Sequence, residues 1–142
     1  MESLLNLVQT VCDELKTNSG VASTSFIKKY PGVTKSAPLA SPVVSVGIAG
    51  LEVGESQLGG ADEKKARVKI ELLVCIPFFG NSSECSRIMQ KLFEYLLFSS
   101  TFDIAKCSFG DISAKRETGA YELKGIVELS TTLTKAVSAN GN

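Results

Sequence analysis

Four cysteines, three short charged clusters and a scatter of glycines are the residues of this chain that could do chemistry. Cys12, Cys75, Cys85 and Cys107 show no CxxC or related metal spacing. Cys12 and Cys85 fall on apolar helical stripes, which predicts reduced core thiols rather than disulfides. The sequence holds no histidine, which removes Ser-His-Asp and Cys-His nucleophiles and the commonest metal ligand. Lysine-only or carboxylate-only mechanisms would remain. Asp62-Glu63 lies in a polar stretch where nothing would shift a carboxylate usefully. Asp111 beside Lys115-Arg116 reads as a solvated turn, and Asp103, Asp111, Glu117 and Glu122 lack the alternating spacing of a calcium loop. Gly47, Gly50 and Gly54 precede no Lys-Ser or Lys-Thr, so a phosphate loop is not indicated. The Lys28-Lys29-Tyr30 cluster could touch phosphate, but reads better as a solvated strand edge. The expectation is a protein that is not an enzyme, with no catalytic residue, cofactor or metal.

The elements that would position these groups follow from the pattern of apolar residues. A chain of 142 residues, 44% hydrophobic and 21% charged, suits one globular domain. Fifteen basic and fifteen acidic residues give zero formal net charge. That argues against a protein whose task is gripping nucleic acid, and leaves little repulsion between copies. The first residues, with Glu2 where a signal peptide would carry positive charge, predict neither a leader nor a membrane span.

Residues 3–17 have an apolar stripe at Leu4, Leu5, Val8, Val11, Cys12 and Leu15, predicting a helix capped by Ser3 and stopped at Asn18-Ser19-Gly20. A short strand is expected at 26–30, then an extended segment between Pro38 and Pro42. Val43 to Val53 alternates as a strand, with its glycines marking bulges or close approach. Residues 54–65 are polar and glycine-rich and read as a long arm between two strands. From Val68 to Ile76 the apolar residues recur every second position. Pro77-Phe78-Phe79-Gly80 then makes a corner. Asn81 is expected to cap the next helix, with Glu84 as its reciprocal partner. The helix stripe would be Cys85, Ile88, Met89, Leu92, Phe93, Leu96 and Leu97. Strands follow over 102–109, 112–117 and 121–133, and residues 136–142 form a polar tail. This order predicts one α+β domain, with an antiparallel or mixed sheet of about four to five strands and two helices packed on one face.

The segments YPGVTKSAPLASPVVSVGIAGLEVGES and KKARVKIELLVCIPFFGNSSECSRIMQKLFEYLL together carry a resemblance. With an N-terminal helix before them and a strand pair after, they resemble the tail terminator and tail-completion proteins of phages, prophages and phage-tail-like bacteriocins of Gram-positive bacteria. The resemblance spans about Leu4 to Thr134. It implies a homo-oligomeric ring, most often a hexamer, that caps the tail tube. Its partners would be other copies of itself, the tube protein, and sheath, collar or head-connector proteins. It implies no sequence-specific nucleic-acid binding and no membrane, and a place in a virion tail or tail-like particle assembled in the bacterial cytoplasm. A neck or head-completion component, and a small ligand-binding or regulatory domain, are the competing readings. Expected contact residues are Glu55, Asp62, Glu63, Lys64 and Lys65 on the arm, Leu73 and Cys75 on the outer face of the strand, and Lys115 and Arg116 at a turn.

Overall fold

The computed structural model describes residues 4–21, 25–28, 41–53, 63–117 and 119–134. Chain order is α1 (Leu4–Asn18), β1 (Ser25–Lys28), β2 (Val43–Val53), β3 (Glu63–Pro77), α2 (Ser83–Phe98), β4 (Asp103–Phe109), β5 (Ser113–Lys115) and β6 (Ala120–Thr134). The strands form one mixed sheet in the order β1-β2-β3-β6-β4, with β5 also paired to β6. β1 runs parallel to β2, and every other pairing is antiparallel. The architecture is α+β, as the order of patterns predicts. The sheet has five strands along its path plus the three-residue β5.

The period-two run on β3 is the centre of the core. Val68, Ile70, Leu72, Val74 and Ile76 are buried, and their partners Leu129, Val127, Leu123 and Tyr121 on β6 point the same way. On β2, Val44 and Val46 lie opposite Val74 and Leu72. Both helices cover this face: α1 lies over β1 and β2, and α2 over β3, β6 and β4. Val11, Cys12 and Leu15 of α1 and Cys85, Ile88, Met89, Leu92 and Leu96 of α2 complete the cluster. A hydrogen bond from the Tyr95 hydroxyl to the Glu14 carboxylate ties the two helices together.

Local choices reinforce the packing. Gly125 of β6 sits directly beneath α2, and a Cβ there would meet Met89 Sδ at 2.7 Å and Phe93 Cζ at 3.0 Å. The absent side chain lets helix and sheet approach. Gly119 adopts φ +62°, which L residues with a Cβ adopt at a cost, and so turns the chain from β5 into β6. The Phe78 N–H donates to Gly119 O at 2.8 Å, joining the Pro77–Gly80 corner to that turn.

Several expectations are corrected in detail. β3 begins at Glu63, so Glu63, Lys64 and Lys65 belong to the sheet and not to the arm. The side chain of Asn81 accepts from the Ser83 N–H at 3.0 Å. Ser82 is the cap residue and makes no side-chain capping bond. Glu84 pairs with Arg87 one turn along rather than reaching back to Asn81, because a guanidinium within its own turn outcompetes the neutral amide. Leu97 is half-exposed, since it lies a residue beyond the stripe that faces the sheet. The expected shift in β2 is present between Ile48 and Gly50. The strand expected at 112–117 is shorter, Ser113–Lys115. The expectations for Ser3, Tyr30, the Pro38–Pro42 segment, most of the arm and the tail fall outside the described residues.

Candidate subunit-contact surfaces

Alternation along the strands sends a second set of side chains away from the helices. On β3 this set is Lys65, Arg67, Lys69, Glu71, Leu73 and Cys75, half-buried or exposed throughout. The register builds rows across the sheet from them. Glu52, Arg67, Ser130 and Asp103 form one row, and Lys69, Glu128 and Lys106 the next. Glu71 and Lys124 meet diagonally in an ion pair at 3.6 Å. Further along, Val43 and Cys75 lie opposite one another beside Leu73 and Ser45. The open face is therefore a lattice of alternating charges at one end and a half-apolar strip at the other.

The charged end contains a groove of about 790 Å³ lined by Glu52, Val53, Lys65, Ala66, Arg67, Asp103, Ser130, Thr131 and Thr132. It lies at the base of the arm, where β2 leaves and β3 begins. At the opposite end stand the corner and the β5–β6 turn. Phe79 there is 80% exposed, and Phe78 packs edge-on against Tyr121 with ring centroids 5.0 Å apart.

The contact residues expected from sequence divide between these two ends. Lys64 and Lys65 are exposed at the arm base, and Leu73 and Cys75 are half-buried on the open face. Lys115, on β5, lies opposite Ala120, which pairs in turn with Pro77 at the far end of β3. Arg116 follows it, exposed. At about 3.3 Å per residue, the length of β3 from Lys65 to Pro77 separates the two sites by about 40 Å. They are two patches, not one. Glu55 and Asp62 lie outside the described residues, as does the side chain of Glu63.

Sequence reasoning missed the row of Glu52, Arg67, Ser130 and Asp103, because Glu52 and Asp103 join it only through pairing with distant strands. Phe98, 86% exposed at the end of α2, was equally invisible. For Phe79 a signal existed, since an aromatic pair inside a proline-glycine corner has little room to turn inward.

The thiols are set by burial. Cys85 is pushed up to about 11 by desolvation and donates weakly to Tyr121 O at 3.7 Å. Desolvation also raises Cys107. Both are poor nucleophiles near neutral pH as a result. None of the four cysteines is joined in a disulfide. Among the described residues no group of three His, Cys, Asp or Glu side chains could hold a metal ion. No described helix is long and apolar enough to cross a membrane.

No family model matches the sequence, and no curated protein matches it.

Proposed function

We propose that this protein is a structural ring subunit, a tail terminator that closes the tube of a phage tail or tail-like particle and offers a docking surface to the collar or head connector. The observation that carries the reading is the pair of dissimilar exposed patches at opposite ends of one sheet, the mixed-charge arm base with Glu52, Asp103, Lys64, Lys65 and Arg67 and the far turn with Lys115, Arg116 and the exposed Phe79 ring. A ring forms when each copy meets the next through two different surfaces and the rotation closes, and surfaces at two opposite ends can also meet the tube on one side and the collar on the other. Zero net charge puts no long-range barrier between copies. The half-apolar strip at Leu73 and Cys75 gives a neighbour something to cover.

The tube protein is the partner in this reading, with sheath or collar proteins above it. Replacing residues 54–62 by a short Gly-Ser turn tests it. Native mass spectrometry should then show monomers of unchanged fold, where the parent chain gives rings of about six copies. Rings formed in undiminished yield would refute the role given to the arm. Deleting the gene from a particle producer separates a terminator from a neck component: terminator loss should give overlong tubes, and tubes of normal length would point to the neck.

A further inference from the structure

We infer that the outer edge of β4 in one copy pairs strand to strand with the outer edge of β1 in a second copy, so that the sheet runs on across the seam. The inference rests on the ring reading and adds which surfaces meet. β1 and β4 are the two outermost strands of the sheet path, and neither has an outer strand partner among the described residues. β1 is parallel to β2, β3 reverses, β6 reverses again and β4 once more. The two edges therefore run in opposite directions. Set side by side between copies, they make an antiparallel pair without any change in the fold.

Length and faces agree with this pairing. β1 has four residues, and β4 beyond the shift between Ile104 and Lys106 offers four in register, Lys106–Phe109. No proline follows Pro77 in the chain, so nothing in β4 forbids a second ladder. The shift and Lys106 blunt only the first part of the edge. On the helix side β4 presents Cys107 and Phe109, and β1 presents Phe26, which packs against the core. Matching faces across the seam puts Phe26 opposite Cys107 or Phe109. Phe109 is half-exposed although its ring packs on Phe93 with centroids 5.7 Å apart. Since α1 covers β1 and β2, the incoming copy would bring its own α1 beside α2 over that exposed ring. Backbone hydrogen bonds and apolar cover arrive together, which is how strand addition gains affinity.

The test joins cross-linking to proline substitution. In a Cys75→Ser background, Phe26→Cys is combined with native Cys107, and separately with Phe109→Cys, then mildly oxidised and run on a non-reducing gel. The inference expects a ladder rising past the dimer, because each copy uses two different edges. Cys107→Pro and Ser108→Pro are compared in parallel, since only one of these N–H groups points outward. That proline should leave far-UV dichroism and melting of the subunit unchanged and raise the concentration of half-assembly at least about tenfold. Rings that persist without cross-links and with both prolines overturn this seam and leave the ring reading standing. A lone dimer band through Cys107 in the Phe26 parent means β4 pairs with β4, and also overturns it. Monomers at every concentration, with tube rings present, overturn both.

Discussion

On β3 the buried residues Val68, Ile70, Leu72, Val74 and Ile76 alternate with Arg67, Lys69, Glu71, Leu73 and Cys75, so one strand serves two surfaces of opposite character. The helix-covered side is sealed by both helices and carries the stability of the fold. The open side is a charge lattice whose Glu71–Lys124 ion pair is partly wet, and such a pair contributes only about 0.2–1 kcal/mol. For the proposed ring, the difference teaches where assembly can be altered without unfolding the subunit. Changes on the covered side should cost stability first. Changes on the open side and at the sheet edges should cost contacts between copies first.

Leu92→Ala is the sharpest way to break that contrast. Leu92 is fully buried at the centre of α2, and its truncation should cost about 3–4 kcal/mol in urea unfolding. Leu73→Ala, on the open face, should cost the isolated subunit less than about 1 kcal/mol. Equal losses from the two would erase the distinction. Next comes Gly125→Val, which drives a branched side chain against Met89 and Phe93. Overpacking there should cost about 1–3 kcal/mol, at the lower end if the flexible Met89 yields.

A third comparison uses pH. Cys85 has an ordinary thiol value in the unfolded chain and is pushed up to about 11 in the fold, because burial disfavours the thiolate. The unfolded chain therefore releases this proton first. The stability contributed is fully present below about pH 9 and declines as pH rises towards 11. Between pH 8 and 10 the urea midpoint of the parent should fall further than that of Cys85→Ala. Parallel declines would remove the thiol from the account. The smallest effect belongs to Glu71→Gln, which opens the 3.6 Å pair with Lys124. The Glu71 side chain is only 15% exposed but Lys124 is 62% exposed, so the change should cost under about 1 kcal/mol and shrink with added salt.

Much of the fold is legible in the chain because two periods are so clean. The alternation from Val68 to Ile76 and the stripe from Cys85 to Leu96 locate the central strand and its covering helix from sequence, and Tyr121 to Leu129 locates β6. The parallel pairing of β1 with β2 was not legible, since four residues carry no directional signal. Nor was the row of Glu52, Arg67, Ser130 and Asp103, whose members come from four strands. The capping box at Asn81 failed for a local reason: Arg87 stands within reach of Glu84 and holds it as a charged pair. Of the proposed contact residues, Lys64, Lys65, Leu73, Cys75, Lys115 and Arg116 are exposed or half-buried, but their division between two sites about 40 Å apart was not legible. That separation depends on the uninterrupted length of β3.

Mass measurement of the intact assembly tests the central claim most directly. Native mass spectrometry of the purified chain across rising concentration, with and without tube rings, should give a closed species of about six copies, strengthened by the tube. A monomer at every concentration that ignores tube rings would contradict the account.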